Sequence, residues 1–137
     1  MPEPGAILHY KGFRFEDGTA GDKYFIVLNK TDVDSHCLVL KTTSQEKRYG
    51  FVNQGCNQEK RVFYIPAGHV NCFKLNTFVQ LPQIIEISVG ELLRGTLSRK
   101  NISEVDCLAE PYFKQLKDCL EKFRIDIAVK HWGSIFR

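Results

Sequence analysis

Six short apolar runs, cut apart by clusters of Gly, Asn, Asp and Pro, constrain this chain more than any other feature. Ile7 to Phe15 mixes apolar and basic residues in near alternation after the turn signal Pro4-Gly5. Tyr24 to Leu28 (YFIVL) and Cys37 to Leu40 (CLVL) are continuous apolar runs of strand length. Such runs predict strands buried on both faces. Arg61 to Ile65 (RVFYI), Thr77 to Leu81 (TFVQL) and Ile84 to Ser88 (IIEIS) complete the set. The segments EDGTAGD, NKTDVDS and NQGCNQ separate them. Short strands at close spacing with turn residues between them predict a small barrel or sandwich.

The period then changes from two to 3.6. GELLRG, Gly90 to Gly95, reads as one helical turn, and Ser103-Glu104-Val105-Asp106 has the form of a helix capping box. Pro111 suits a first helical turn. Phe113, Leu116, Leu120 and Phe123 follow at helical spacing, with Lys114, Lys117, Asp118 and Glu121 on the other face. That pattern predicts an amphipathic helix on a core. The expectation is one α+β domain over residues 1–137: about six short strands and a C-terminal amphipathic helix. KHWGSIFR, Lys130 to Arg137, lies beyond that helix and either folds back onto the core or docks a partner.

Composition narrows the function classes. The net charge of +3 is mild, so charge alone does not mark a protein that coats nucleic acid. No run approaches the ~18 apolar residues of a membrane span. MPEPGAILHYKG carries no basic region followed by a long apolar one, so no secretory signal is expected there. The five cysteines are odd in number and scattered, which predicts free thiols in a reducing cytoplasm. His69 and Cys72 have ligand-like spacing, with Cys56 upstream, but no fourth ligand completes a zinc set, and no metal or cofactor is expected.

One stretch combines features that chemistry could use. CLVLKTTSQEKR opens from an apolar strand into Lys41, then Thr42, Thr43 and Ser44, then Lys47 and Arg48. From Lys41 to Arg61 there are five cations and two acids, and Tyr49, Phe51, Phe63 and Tyr64 lie in or just after that segment. Cations among aromatics suit single-stranded nucleic acid, because phosphates need charge and bases need a stacking face. The alternative is a solvated hairpin whose aromatics point inward. The hydroxyls can hold a phosphate oxygen or cap a turn. His9, on the first strand, is a candidate general base, a common role of histidine side chains.

The order of these motifs resembles the MazF/PemK family of toxin endoribonucleases. PGAILHYKGFRF is similar to the family's opening strand, GDKYFIVLNK to its second, and CLVLKTTSQ to its third, which ends in a Thr-Ser type of pair. NTFVQLPQIIEIS, then ELLRGTLS and the closing helix, are similar to its late strands and tail; the resemblance covers residues 4 to about 123. It implies an SH3-like barrel, a homodimer, a cognate antitoxin, and metal-independent cleavage of single-stranded RNA. The family's catalytic Arg and Thr fall on Lys23 and Thr43, with His9 as a candidate base. Arg14, Thr42, Ser44, Lys47 and Arg48 are the expected substrate-binding residues. Two departures stand out: the family's Arg-Pro is Lys23-Tyr24, and its Asp-Gln-Ile-Arg segment is Leu81-Pro82-Gln83-Ile84. Lysine offers a point charge where arginine offers a rigid two-bond fork. The alternative is a non-catalytic barrel that binds nucleic acid or protein within a larger assembly.

Overall fold

The computed structural model describes residues 1–32 and 35–136. The α+β expectation holds. Seven strands form one antiparallel sheet: β1 (Ala6–Arg14), β2 (Ala20–Val27), β3 (Cys37–Thr43), β4 (Gly55–Asn57), β5 (Val62–Ile65), β6 (Thr77–Ile87) and β7 (Ile102–Cys107). Their order is β4-β5-β6-β3-β2-β1-β7. No pairing joins β4 to β7 among the described residues, so the ladder is linear and does not close into the expected barrel.

The continuous apolar runs became central strands because both faces of the sheet are covered. Ile26, Leu28, Leu38 and Leu40 point to one face, where α2 (Glu110–Glu121) packs through Leu116 and Leu120. Phe25, Val27, Cys37 and Val39 point to the other, with Leu92 of α1 (Val89–Leu93) and Ile102. Alternate residues of one run thus enter two separate cores, which is why no polar residue interrupts it. Below, these are the helix-packed face and the second face.

Three departures from the sequence reading have local causes. The runs at Thr77 and Ile84 are one strand, β6, long enough to pair with both β5 and β3. Its register against β3 shifts between Leu40 and Thr42, around the cis Leu81-Pro82 bond. A proline inside a sheet is tolerated at such an irregularity. The Ser103–Asp106 capping box is instead the middle of β7, paired with β1. Long-range pairing overrides the local cap signal here; α2 starts later, after Ala109, with Pro111 in its first turn as expected. The helical turn at Gly90 is present as α1, capped by Ser88 Oγ accepting from Glu91 N–H at 3.1 Å. It runs on as a π-helical turn over Arg94–Ser98.

The C-terminal segment folds back. It forms α3 (Val129–Ile135), with Ile135 fully buried and Trp132 and Phe136 packed on the same core as α2; Arg137 lies outside the described residues. Trp132 Nε1 donates to the carbonyls of Arg124 and Ile127. Lys130 and His131 both reach Glu86 of β6, at 3.3 and 3.0 Å.

The cysteines correct the sequence reading. Cys56 of β4 and Cys119 of α2 form a disulfide, while Cys37, Cys72 and Cys107 are free. Their separation of 63 residues hid the pairing, because only the tertiary fold brings β4 under α2. Among the described residues no helix is long and apolar enough to cross a membrane, and no group of three or more metal-type ligands forms.

Tyr10 makes one alkaline-sensitive link. Its hydroxyl donates to Glu91, tying β1 to α1. Partial burial first, and then this bond to a carboxylate, push the phenol up to about 12. A raised pKa means that the contribution is complete below the unfolded tyrosine value of about 10. It is then lost as pH climbs through about 12. The urea midpoint should therefore fall across that interval, and Tyr10→Phe should flatten this part of the decline.

Candidate nucleic-acid interface

β2 and β3 end side by side, and their ends carry most of the expected site. Lys23, Thr42, Thr43 and Ser44 line one cleft of about 280 Å³, closed on its other side by Phe73 and Lys74. A second, wider depression adjoins it through Ser44, Lys74 and Leu75, and there Lys47 and Arg48 line the wall. Six of the eight expected site residues therefore meet in two contiguous hollows.

The local geometry explains how each is held. Thr42 is buried, and its Oγ1 donates to the Tyr24 carbonyl at 2.9 Å, so this hydroxyl locks the two strands together. Thr43 Oγ1 accepts from the Gln45 N–H at 3.3 Å and turns the chain out of β3. Of the hydroxyl readings of the sequence, the turn-capping one is seen at Thr43, while Thr42 bonds across the strands; both residues line the cleft. Lys23 Nζ donates to the Thr42 carbonyl at 3.3 Å.

Among the described residues Lys23 has no carboxylate partner in an ion pair or hydrogen bond, and its surroundings work against its charge. Burial lowers its pKa most, then the nearby charges of Lys41 and Arg48. Lys23 and Lys41 both stand over the Phe15 ring, at 5.6 and 5.7 Å from its centre. Three cations with too little counter-charge make an unfavourable local field that an anion would relieve. Acidic neighbours are partly occupied: Asp22 Oδ1 accepts from the Gly12 N–H at 3.0 Å, and Glu46 accepts from Asn76.

Two expected residues lie elsewhere. Arg14 is on the β1–β2 hairpin, where its guanidinium donates to the Gly18 carbonyl at 3.2 Å. His9 does not line the cleft; its ring packs on Tyr24, with centres 4.9 Å apart, and Tyr24 is itself part of the cleft wall. Strand parity explains the miss, because His9 is the register partner of Tyr24 and not of Lys23. The sequence reading in turn overlooked Lys74, Asp22 and Cys72, which line the cleft. Lys74 comes from the loop before β6, far from β3 in sequence, so no local spacing marked it. The Cys72 thiol is pushed up to about 11 by burial and by Asp106, which keeps it protonated at neutral pH.

The aromatics divide between the two readings made from sequence. Phe63 is fully buried in the helix-packed core. Tyr64 and Tyr49 are half-buried and flank Phe78 on the second face, with ring centres 5.0 and 5.1 Å from it. Phe51 is exposed. No family model matches the sequence, and a search of curated proteins finds no significant match.

Proposed function

We propose that this protein binds single-stranded RNA, with a backbone phosphate held in the cleft by Lys23, Thr43, Ser44 and Lys74. The observation that carries the reading is the cluster of Lys23, Lys41 and Arg48 at the cleft that Thr43 and Ser44 line: burial first, and then the charges of Lys41 and Arg48, lower the Lys23 pKa. A phosphate there supplies the missing counter-charge and accepts from the hydroxyls. Lys23→Ala should weaken binding of a uridine-rich dodecamer by about tenfold and reduce the salt slope of log K by about 0.7. Binding unchanged in affinity and slope would remove Lys23 from the site.

The pH dependence carries a second signature. Lys23 must be protonated to attract the phosphate, and it gives up its proton below the ordinary lysine value of 10.5. RNA affinity should therefore begin to fall at a lower pH than surface lysines would dictate. Lys23→Arg, which stays charged throughout, should move that fall to higher pH. Fluorescence anisotropy across the alkaline range reads both proteins.

A second reading, cleavage of the bound RNA without a metal, is favoured by the same lowered pKa, since a more acidic ammonium is a better proton donor. The 2′-oxygen would bond to the adjacent phosphorus as the bond to the 5′-oxygen breaks. Asp22 would take the 2′-hydroxyl proton, and Lys23 would protonate the leaving oxygen, yielding a cyclic phosphate and a free 5′-hydroxyl. His9, turned onto Tyr24, is replaced by Asp22 in this scheme. The MazF/PemK resemblance, with its SH3-like architecture, homodimer and antitoxin, belongs to this reading. Incubating the protein with mixed-sequence RNA in EDTA tests it. Discrete products from wild type and none from Lys23→Ala support cleavage; a gel shift without products leaves a binding module.

A further inference from the structure

Lys23 and Thr43 of the cleft lie within a longer cross-strand feature. Ladder pairing puts Tyr64 opposite Phe78 and Phe78 opposite Thr43. The ladder that pairs Phe25 with Lys41 sets Lys23 opposite Thr43 at its next step, and Lys23 pairs with Tyr10. Cross-strand partners share a face. One row therefore crosses the second face from β5 through β6, β3 and β2 to β1.

Aromatic and cationic groups alternate along that row. Tyr64 and Tyr49, both half-buried, stack on the buried Phe78 and form the first ring group. Thr43, Lys23 and Lys41 follow. Phe15 sits under both lysines and meets Phe13, which meets Tyr10. Beyond Tyr10 lies a polar hollow of about 230 Å³ lined by Arg94, Arg99, Asn101 and Glu91, whose carboxylate accepts from the Tyr10 hydroxyl and leaves two guanidiniums against one acid. The charges of Arg94 and Arg99 act on the Tyr10 phenol, which places both guanidiniums close to it. Asn101 Oδ1 in that hollow is buried without a hydrogen-bond partner.

The β1 bulge builds the middle of this row. Register shifts between Tyr10 and Phe13, and Gly12 there has φ +68°, a conformation that costs a side-chain-bearing residue strain. The shift returns Phe13 to the Phe25 side of the sheet, at 4.9 Å between ring centres. Without the bulge the aromatic bridge between Lys23 and the arginines would be broken.

We infer that single-stranded RNA runs across this second face, with a second phosphate held by Arg94 and Arg99 and bases stacked on the aromatics between. The inference rests on the RNA-binding reading above and extends it from a single phosphate to a track. Five strand spacings from β5 to β7 span about 24 Å. That length accommodates roughly four nucleotides, a normal site size for a single-strand binder. The alternation of charge and ring faces matches what such a strand offers at each repeat.

The test compares Arg94→Ala/Arg99→Ala with wild type, Lys23→Ala and Lys114→Ala/Lys122→Ala, using a uridine dodecamer in a salt titration. Lys114 lies on α2 and Lys122 is its C-cap residue, and the pair serves as the control for loss of two charges. The track predicts that the arginine pair loses about tenfold in affinity and about 0.7 to 1.4 in salt slope. The α2 pair should stay within about twofold of wild type on the same scale. Arg94 and Arg99 are exposed, so the variant should fold; Arg94→Lys/Arg99→Lys, which keeps the charge, should restore most of the loss. An arginine pair that binds as wild type, while Lys23→Ala is impaired, overturns the track and leaves the cleft. An equal loss in the α2 control also overturns it, since general charge would then explain the effect. No binding by wild type overturns both.

Discussion

Reduction of the Cys56–Cys119 disulfide should lower the melting temperature by about 10–20 °C. The bond closes a loop of 63 residues of separation. Releasing a loop of that size returns about 4 kcal/mol of chain entropy to the unfolded state. It also removes the covalent hold on β4, a three-residue edge strand that pairs only with β5. Short hairpins are marginal by themselves, so this corner should open first. Calorimetry with and without a phosphine reductant measures the effect, with Cys56→Ser/Cys119→Ser as the matched variant. A shift below about 2 °C for both would mean that the bond constrains little, and that α2 and the β4–β5 hairpin are held by packing alone.

Phe25→Ala should cost about 3–5 kcal/mol, enough to threaten folding in a domain of ordinary stability. Phe25 is fully buried in the second-face core and meets both Tyr10 and Phe13 edge to face. Deleting its ring leaves a hole between β1 and β2, beneath the row that carries Lys23. Phe25→Leu, which keeps most of the volume, should recover most of the loss. Urea denaturation reads the difference. Because Phe13 and Phe15 lean on each other, RNA affinity should fall in Phe25→Ala even where the chain remains folded. A variant within about 1 kcal/mol of wild type would show that the two aromatics collapse into the space without cost.

The two predictions concern opposite faces, and the difference is instructive. The disulfide braces the helix-packed core, against which Tyr24, Cys72 and Phe73 of the cleft wall also pack. Phe25 braces the second face, beneath the row that carries Lys23. Loss of the first should lower stability with RNA affinity retained well below the new melting point. Loss of the second should lower both.

Sequence alone determined the strands whose apolar content was locally concentrated. Tyr24 to Leu28 and Cys37 to Leu40 had to be buried on both sides, whatever their partners, because no face of either run tolerates water. The α2 stripe of Leu116 and Leu120 was equally legible, since helical spacing requires nothing beyond its own segment. The turn from apolar strand to Thr42, Thr43, Ser44, Lys47 and Arg48 was visible for the same reason, and these residues meet at the cleft.

Tertiary structure decided everything that depends on distant pairing. Ser103 to Asp106 carries a helix-cap pattern yet lies in β7, because an open β1 edge offered it a ladder worth more than a cap. β4 has three residues and no apolar pattern, and only the ladder with β5 and the bond to Cys119 define it. His9 and Lys23 differ by strand parity and by register, so their separation could not be read from either segment alone. Lys74 joined the cleft, and Arg94 and Arg99 the hollow beside Tyr10, through three-dimensional proximity. Local patterns fix what a segment must bury; register and loop closure, which couple residues far apart in the chain, fix what those segments place together.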